Sequence, residues 1–533
     1  MRVLLIRPSN PSGSAYLTKW GFLPAPLGLL QLAGELLKIE GCRVSIIDME
    51  ADRMTADAVM AEIAAFRPDI IGLTIHATAA HTTSCEIARK AKQNFPEVLT
   101  VAGGHHATFI PNQLISEGFD VVVLGEGDFT FREIALHVID GTPFDSIPGI
   151  VYRKDGVGVR TRPRQLIQDL DTLALPALHL IDASKYTFTV FGDRSRVLCL
   201  ETSRGCPYGC DFCSVTPTWG HRWRNKSNSR IMEELLSALK FNYDWVFFTD
   251  DIFIVYPNVK QREELFRMMK EADLGYRWIV QMRADVTAKN PDLIRKGAEA
   301  GMSVAFMGIE SGSPEILRKM HKGLFTPQSV DAVRILSENG VIVLCGMMLG
   351  APYEGISDML TTIRFSNKLA GAGADAVQFS IYTPLPGTRV FDDAVRNRKL
   401  FTLNWDRFDI LTPVMKTRVH PAVIQMIQFY ANYSFYVRKY IRSKIARIEI
   451  NERKRELVSR ATDFIFRMMP DYIRDMAKFP KELIRTSRLY SSLSKGTGLT
   501  LESISELIEN SGKIIYQEAA GSTNPYFMIS QEH

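Results

Sequence analysis

Three cysteines stand within eight residues of this chain: Cys206, Cys210 and Cys213. Their C-x3-C-x2-C spacing puts three thiolates on one short loop, within reach of a single metal centre. A zinc site or an electron-transfer cluster is normally closed by a fourth protein ligand. No fourth cysteine follows nearby, and His221 completes no common zinc spacing. The triad therefore predicts an iron–sulfur cluster with one open iron, an arrangement that can bind and reduce a substrate.

The same loop has two simpler interpretations. The three cysteines are either reduced structural residues or part of a zinc loop that Cys199, a few residues upstream, completes. Cys42, Cys85, Cys199 and Cys345 stand in apolar or helical contexts, where cysteine is most often a small buried hydrophobic residue. Seven cysteines, three of them clustered, do not form a disulfide framework, and this favours a reducing cytoplasm.

The cysteine spacing, with Phe212 just before the last cysteine, resembles the signature of the radical S-adenosylmethionine (SAM) enzymes. The resemblance implies a 4Fe–4S cluster on Cys206, Cys210 and Cys213, with the amino and carboxylate groups of SAM on the fourth iron. An electron from the cluster then splits the sulfonium and yields a 5'-deoxyadenosyl radical. An external one-electron reductant of the flavodoxin or ferredoxin type is the implied protein partner.

Six βα units are expected between residues 191 and 400, and they predict a partial TIM-type barrel whose chemistry lies at the carboxyl ends of the strands. The cysteine loop follows the first of these strands. In the family that the loop resembles, Asp250 and Asp251 would contact the SAM amino group, and Arg283 would pair with the SAM carboxylate in a bidentate way. Glu310 would hold the ribose hydroxyls, with Ser311 in the same cofactor-binding segment.

The first 150 residues alternate β-rich runs with amphipathic segments, which predicts a doubly wound, flavodoxin-like parallel sheet. The expected strands lie at residues 3–6, 43–47, 70–74, 98–102 and 121–124. Ligands bind such sheets outside the carboxyl ends of the strands, where glycine lets the backbone approach a bulky ligand. The candidate binding residues at these ends are Ser9, Thr74, Gly103, Gly104, Gly125, Glu126 and Gly127.

This domain order, with Gly-Gly after the fourth strand and Gly-Glu-Gly after the fifth, resembles the cobalamin-dependent subfamily of radical SAM enzymes. The resemblance implies cobalamin on the N-terminal domain. The Asp-x-His-x-x-Gly motif that ligates cobalt in many cobalamin mutases is absent after the first strand, so a base-off cofactor is implied. His76, His105 and His106 are interpreted as polar turn residues rather than cobalt ligands.

At 533 residues the chain is too long for one core. We predict a cobalamin-binding domain at 1–150, a linker with a small β-element at 151–190, the barrel at 191–400 and a helical region at 401–533. No apolar run reaches the ~18 residues that span a bilayer. The N-terminus is expected to be a strand and a turn rather than a signal peptide.

The C-terminal region is expected to form helices at 421–448, 451–469, 474–489 and 501–518. Residues 416–495 hold 18 Lys/Arg against 7 Asp/Glu, a charge of +11. One interpretation is a helical cap that buries Tyr430, Phe435 and Tyr440 against the barrel mouth. The other is a basic amphipathic surface that associates peripherally with a membrane and admits a lipid. No nucleic-acid module is apparent.

The resemblance implies methylation of an unactivated carbon through methylcobalamin, with SAM as both oxidant and methyl donor. The alternative is oxidative cyclisation or carbon–carbon bond formation on a porphyrin ester or a membrane lipid, and the substrate is a small molecule, a lipid or a protein. A hypothesis from another class is a cofactor-binding sensor without catalysis. The methylthiotransferase branch is disfavoured because the N-terminal domain has no cysteines suited to a second cluster.

Overall fold

The computed structural model describes residues 1–10, 21–192, 195–446 and 451–494. Part of the loop after the first strand (residues 11–13) and the helix expected at 501–518 lie outside these ranges. The chain is mixed α/β, as expected, with two sheets of parallel character and a helical C-terminal region. Within the described ranges, no helix combines the length and the apolar character needed to cross a membrane.

The first sheet has seven strands in the order β2-β1-β3-β4-β5-β6-β7. Strands β1 to β5 pair in parallel, and their apolar runs are buried because helices cover both faces. The chain reverses its direction of winding between β1 and β3, which is the point where such sheets bind ligands. The strands are β1 (Arg2–Arg7), β2 (Arg43–Asp48), β3 (Ile70–Thr74), β4 (Leu99–Gly103), β5 (Val121–Val123), β6 (Ile150–Lys154) and β7 (Val157–Arg160).

The helices of this part are short and begin at the carboxyl edge of the sheet. In the helix Ala56–Phe66, Thr55 is the N-cap, and its hydroxyl accepts the Ala58 N–H at 3.3 Å. The helix ends at Arg67, which adopts a left-handed φ of 51°. The helices are α1 (Leu27–Leu36), α2 (Met49–Asp52), α3 (Ala56–Phe66), α4 (His81–Asn94), α5 (His105–Phe109), α6 (Pro111–Ser116) and α7 (Asp128–Asp140).

The sheet continues beyond residue 150, into the segment expected to be a linker. Strand β6 pairs antiparallel with β5, and β7 pairs antiparallel with β6. The small β-element of the segment is therefore a hairpin that extends the N-terminal sheet. The chain then runs through short 3-10 turns to the second sheet.

The second sheet has six parallel strands in the order β15-β14-β13-β12-β11-β8, which is the expected partial barrel. Its strands are β8 (Val197–Leu200), β11 (Trp245–Phe248), β12 (Arg277–Met282), β13 (Met302–Glu310), β14 (Ile342–Leu349) and β15 (Ala376–Ile381). A two-residue antiparallel pair, β9 (Ser203–Arg204) and β10 (Arg224–Asn225), lies between the first two of them.

Helices join the barrel strands and cover the outside of the sheet. Its apolar strand residues form one continuous core with the apolar faces of these helices. The helices are α8 (Val215–Trp219), α9 (Asn228–Ala238), α10 (Val259–Ala272), α11 (Ala284–Lys289), α12 (Pro291–Glu299), α13 (Pro314–Lys319), α14 (Thr326–Glu338), α15 (Ile356–Ala372) and α16 (Arg389–Arg396).

Two long helices follow, α17 (Pro421–Ala446) and α18 (Glu452–Ser494). The two helices expected at 451–469 and 474–489 are one, and Pro470 and Pro480 lie inside it. Proline normally interrupts a helix, so contacts with neighbouring elements must favour continuity. One such contact is the stack of Phe479 on Phe429 of α17, with ring centroids 4.0 Å apart.

Helix α17 lies along the free edge of β15. The Asn432 side chain accepts the Phe379 N–H at 3.1 Å, and the Gln428 and Asn432 amides donate to the Phe379 carbonyl at 2.8 and 3.2 Å. The Tyr436 hydroxyl donates to the Val377 carbonyl at 3.1 Å. This helix therefore covers the last strand of the barrel sheet, so the expected cap on the barrel mouth is in fact a cap on its edge.

Candidate active site

The cysteine loop lies between β9 and α8, beyond the carboxyl end of the first barrel strand. The Cys213 N–H donates to the Cys210 carbonyl at 3.1 Å, and the Thr216 hydroxyl donates to the Tyr208 carbonyl at 2.9 Å. Burial raises the pKa of Cys206 to about 11 and that of Cys213 to about 12. The thiols are thus protonated unless a cation is bound, and a coordinated thiol loses its proton.

The spacing of the three sulfurs argues against a mononuclear zinc site. In the described part of the chain, the one group of His, Cys, Asp or Glu ligand atoms that all lie within 4.8 Å of one another is elsewhere, at His81, Cys85 and Glu117. Ligands of one tetrahedral zinc need such proximity. An iron–sulfur cluster does not need such proximity, because each thiolate binds a different iron. Cys199, the suggested fourth zinc ligand, is buried in β8.

Four side-chain contacts join the loop to other segments of the barrel. The Arg283 guanidinium, after β12, stacks on the Tyr208 ring with 3.6 Å to its centroid. The Asp211 carboxylate lies 2.7 Å from His321 Nδ1 and 3.3 Å from an Arg389 nitrogen. The Phe212 ring meets Tyr382 at 5.9 Å. The loop is therefore shaped by the barrel before any ligand binds.

Asp250 and Asp251 follow β11 but face different surroundings. The Asp250 carboxylate is buried and accepts the Thr202 N–H at 3.1 Å, the Thr202 hydroxyl at 2.6 Å and the Ser203 hydroxyl. Through these hydrogen bonds, Asp250 links the ends of β8 and β11. Asp251 is half-buried beside Cys206 and Cys213, and burial together with Asp250 raises its pKa to about 7.

Arg283 is partly committed to the protein. Its Nε donates to Asp285 at 3.0 Å, and one Nη donates to the Lys322 and Gly323 carbonyls at 3.0 and 3.3 Å. Two of its three nitrogens therefore point to protein acceptors, so the expected bidentate pairing with a carboxylate would first have to break these bonds.

The end of β13 carries Glu310 in a left-handed conformation, with φ of 67°. This conformation is uncommon for a residue with a side chain, and it coincides with a register shift in the pairing of β13 with β14. Lys322 Nζ lies 2.7 Å from the Glu310 carboxylate. Ser311 is buried, and its hydroxyl lies 3.0 Å from that of Thr362, so Ser311 shapes the loop from inside.

At the carboxyl edge of the N-terminal sheet, three of the predicted glycines have room for a Cβ atom, and one of these, Gly125, faces open space. A Cβ added to Gly103 would meet its nearest neighbour at 3.8 Å, one on Gly127 at 3.5 Å, and one on Gly125 would meet nothing within 4 Å. Gly104 is different, since its φ is +101° and a Cβ there would lie 2.9 Å from the Ile75 carbonyl carbon. Ser9 and Thr74, at the ends of β1 and β3, are half-buried.

The open edge of the N-terminal sheet faces the cysteine loop. The His105 ring contacts the Trp219 ring at 5.4 Å, and its Nδ1 lies 3.3 Å from the Thr218 hydroxyl. Both barrel residues belong to α8, which begins two residues after Cys213. Burial lowers the pKa of His105 to about 3, so its imidazole is neutral. These contacts bring the glycine edge of the N-terminal sheet next to the helix that follows the cysteine loop.

A buried ionic network joins the domains beside these contacts. Arg204, two residues before Cys206, donates to Asp128 at 2.8 Å and to Glu126 at 3.0 Å. Glu126 also accepts from Arg224 at 2.8 Å and from the Ile167 N–H at 2.7 Å. Glu126 was expected to contact cobalamin, but both of its carboxylate oxygens are engaged in the domain interface.

Several of these residues were missed by the sequence analysis. Arg204 and Asp128 could have been identified from the sequence, because each is a charged residue beside a predicted motif. Arg204 stands two positions before Cys206, and Asp128 directly follows the Gly-Glu-Gly turn. Tyr208 lies inside the cysteine loop itself. Lys322 had no such signal, since only the fold brings it to Glu310.

A cavity of about 2440 Å³ occupies the barrel interior and its base. Phe247, Gln281, Phe306 and Leu344 line it from four strands of the sheet. Its wall is largely apolar, whereas its base carries more cationic than acidic side chains. Among the residues that line the cavity, none belongs to the cysteine loop, and Asp251, Arg283 and Glu310 are not among them. The cavity is large enough for a bulky apolar molecule.

Comparison with known proteins agrees with this architecture. Residues 13–135 match the B12 binding domain family, and residues 200–366 match the radical SAM superfamily. An uncharacterized methyltransferase of Pyrococcus horikoshii is 34% identical over 472 residues, which cover 88% of this chain and 98% of the relative.

Two more distant relatives have named activities. The hopanoid C-3 methylase of Methylococcus capsulatus is 26% identical, with 79% of this chain and 77% of the relative covered. The anaerobic magnesium-protoporphyrin IX monomethyl ester cyclase of Rubrivivax gelatinosus is also 26% identical, with 78% and 74% covered.

The fold recurs in the solved structure of the cobalamin-dependent SAM radical enzyme OxsB with aqua-cobalamin and SAM bound. The TM-score is 0.65 at 16% identity, over 97% of this chain and 83% of the other. The expected resemblance is confirmed: the chain belongs to the family of cobalamin-dependent radical SAM enzymes, which includes methyltransferases and a cyclase.

Proposed function

We propose that this chain is a radical SAM methyltransferase that methylates an unactivated carbon. The supporting observation is the contact of the His105 ring with the Trp219 ring at 5.4 Å, which places the glycine edge of the N-terminal sheet beside the helix that follows the cysteine loop. When bound, the cluster and SAM supply a hydrogen-abstracting radical, and cobalamin supplies the methyl group. Two cofactor sites next to each other allow both to reach one substrate carbon.

The chain's own residues divide into holding and positioning roles. Cys206, Cys210 and Cys213 hold the cluster. Asp251 faces these cysteines and receives the SAM amino group, whereas Asp250 positions the strand ends through Thr202 and Ser203. The role of Asp251 is favoured by its place beside Cys206 and Cys213, where its carboxyl oxygens can accept the N–H groups of an iron-bound amine.

The roles that we propose for Arg283 and Ser311 in binding SAM differ from those expected from the sequence, whereas the role of Glu310 is kept. Arg283 reaches the SAM carboxylate through its remaining Nη and holds Tyr208 at the same time. Glu310, paired with Lys322, approaches the ribose. Ser311 acts through the loop that carries Glu310.

Ser9, Thr74, Gly103, Gly125 and Gly127 would hold cobalamin, bound in a base-off form to which no histidine of this edge contributes. His106 supports this assignment because it is buried and faces His81, at 3.1 Å between ring nitrogens. His105 meets Thr218 and Trp219 of the barrel instead. Gly104 keeps the backbone of this loop close to Ile75.

The substrate is a small molecule or lipid with a large apolar body, which the apolar wall of the barrel cavity favours. A flavodoxin or ferredoxin supplies electrons one at a time. We also propose that α17 and α18 rest on an anionic membrane surface, from which an apolar substrate is taken. Both helices expose large apolar side chains next to basic ones, among them Met426, Tyr430, Val437, Phe466, Ile473, Met476 and Ile484.

Oxidative cyclisation is the second candidate, because a cyclase is among the relatives at 26% identity. The two reactions differ in how they consume SAM. Reconstituted protein is incubated anaerobically with SAM that carries a labelled methyl group and with lipid and pigment extracts. Labelled product together with S-adenosylhomocysteine supports methylation. Formation of 5'-deoxyadenosine and product without label transfer would reject methylation in favour of cyclisation.

A further inference from the structure

A second cluster of ligand-type side chains lies in the N-terminal domain, away from the cysteine loop. His81 and Cys85 are four residues apart at the start of α4 and therefore share one face of that helix. Glu117 follows the end of α6 and reaches the same point. His81 and Cys85 are buried and Glu117 is partly exposed. Their ligand atoms all lie within 4.8 Å of one another.

The distances within this cluster match the edges of a tetrahedral metal site. Zinc binds nitrogen at about 2.0 Å and sulfur at about 2.3 Å, so tetrahedral angles place N and S about 3.6 Å apart and N and O about 3.4 Å apart. Cys85 Sγ lies 3.6 Å from His81 Nε2, and Glu117 Oε2 lies 3.1 Å from the same nitrogen. Three ligand types thus converge with the spacing that one ion requires.

Each of the two polar ligands is oriented by a second residue. His81 Nδ1 lies 3.1 Å from Nε2 of the buried His106, and the Gln113 amide donates to Glu117 Oε1 at 2.8 Å. Partners of this kind fix the ring and carboxylate orientation in metal sites. The Trp405 ring packs against both imidazoles, at 5.9 and 5.1 Å, and closes this side of the cluster.

From these contacts we infer that His81, Cys85 and Glu117 bind one zinc ion, with water as the fourth ligand through the exposed side of Glu117. Binding removes the Cys85 thiol proton to solvent, so that thiolate, carboxylate and Zn²⁺ sum to zero charge in a buried place. The ion ties the start of α4 to the end of α6. These helices flank the loops that carry Thr74 and Gly104 at the carboxyl edge of the sheet.

The test uses the full chain with Cys206, Cys210 and Cys213 all replaced by Ala, so that metal held by the cluster loop does not enter the count. After growth with zinc and dialysis, we expect one zinc per chain by elemental analysis. His81→Ala and Cys85→Ser on the same background should lose it, whereas Cys42→Ala, a half-buried cysteine elsewhere, should retain it. Zinc content in the background chain no higher than in His81→Ala would overturn the inference and leave a hydrogen-bonded triad.

A spectroscopic experiment on the background chain tests the metal site even if a variant fails to fold. Co²⁺ bound to the intact site should give a thiolate-to-metal charge-transfer band, because Cys85 is a ligand. Absence of that band after Co²⁺ loading of the background chain would contradict the assignment even if every variant misfolded. Loss of the band in Cys85→Ser with visible Co²⁺ bands retained would identify Cys85 as the sulfur ligand.

Discussion

Arg204 of the barrel and Asp128 of the N-terminal domain form a buried ion pair, with Nη1 2.8 Å from Oδ2 and Nη2 3.2 Å from Oδ1. Arg204 is two residues before Cys206, and Asp128 is the first residue of α7, just after the Gly-Glu-Gly turn. The pair therefore connects the cluster loop directly to the edge that faces it. The nearby Arg204 guanidinium also holds the pKa of Asp128 below its usual range.

Breaking this pair should destabilise the domain interface. Asp128→Asn leaves Arg204 buried with less compensation, and removal of one partner of a buried pair costs about 3–5 kcal/mol. Urea unfolding should show the loss, together with a lower cluster content after reconstitution. The control is Glu271→Gln, which breaks an exposed pair with Arg267 and should change neither quantity. An unchanged unfolding midpoint in Asp128→Asn would mean that the pair does not hold the interface.

Loss of the cysteines should abolish the cluster and SAM cleavage. Anaerobic reconstitution should load about four irons per chain, because three thiolates and SAM complete a 4Fe–4S cluster. Replacement of Cys206, Cys210 or Cys213 by Ala should remove both iron and 5'-deoxyadenosine formation, whereas Cys42→Ala should preserve them. Iron analysis and chromatography of the products measure this, and SAM cleavage that persists in the triple Ala variant would refute the assignment.

A bulky side chain at Gly103 should block cobalamin while the fold survives. A Cβ at this position would make only an ordinary van der Waals contact, with Val123 at 3.8 Å, so Gly103→Phe is expected to fold and to occupy the proposed cobalamin site. Gly104→Phe is expected to reduce folding itself, since Gly104 has a positive φ and its backbone lies against Ile75. Cobalamin titration by absorbance gives the affinity, and Ala64→Phe, on the exposed face of α3, controls for added bulk.

The spectrum of bound cobalamin should be base-off and should not depend on any histidine. Ala variants of His76, His105 and His106 should therefore leave the position of its bands unchanged. A histidine-ligated spectrum that disappears in one of these three variants would contradict the proposal.

Glu354 should make the stability of the protein pH-dependent. Its carboxyl is buried after β14 and accepts the Gly350 and Ala351 N–H groups at 2.6 and 3.2 Å, yet burial raises its pKa from 4.5 to about 7. The folded state therefore retains a proton that the unfolded chain releases. The free energy of unfolding should fall by about 3 kcal/mol as the pH rises from about 4.5 to about 7. Glu354→Gln should flatten this part of the profile, whereas the exposed Glu40→Gln should follow the native one.

Membrane association should depend on the charge of α18. Each Lys or Arg near an anionic surface contributes ~1 kcal/mol, so Lys481→Gln with Arg485→Gln and Arg488→Gln should weaken binding strongly. Flotation with anionic liposomes should decrease as salt shortens the Debye length towards ~8 Å. Protein that never floats at low salt would exclude the membrane proposal.

The burial of α17 agrees only in part with a simple cap. Phe435 is 2% exposed but Tyr430 is 48% exposed. The side chain of Tyr440 lies outside the described residues. One face of this helix therefore packs on the barrel while another remains open to a further surface.

The strands of both domains could be predicted from the sequence because each is a short apolar run bounded by turn residues. Residues 70–74, for example, form β3 as expected. The unbroken α18 could not be predicted, since Pro470 is a local signal for a helix end and the contacts that override it are tertiary. The β-element expected within 151–190 is the β6–β7 hairpin, but its pairing with the N-terminal sheet could not be predicted, because its partner β5 lies 27 residues earlier in the chain.

The cysteine triad could be identified from its spacing because its ligands are local in sequence. The different roles of Asp250 and Asp251 could not be predicted. Adjacent residues at a strand end point in opposite directions, and only packing selects which one is buried. Cys85 shows the same limit, since its apolar context hides the fact that Glu117 of another element lies next to it.

The side chains of α17 that bond to β15 also prevent a second copy of the chain from pairing with this strand. An unpaired strand edge can recruit a second molecule and grow into aggregates. Here Asn432, Gln428 and Tyr436 fill the bonding positions that an incoming strand would need. A chain shortened before residue 421 would keep all six barrel strands and every cluster cysteine. Its expected failure is self-association through the bare edge rather than loss of the reaction centre.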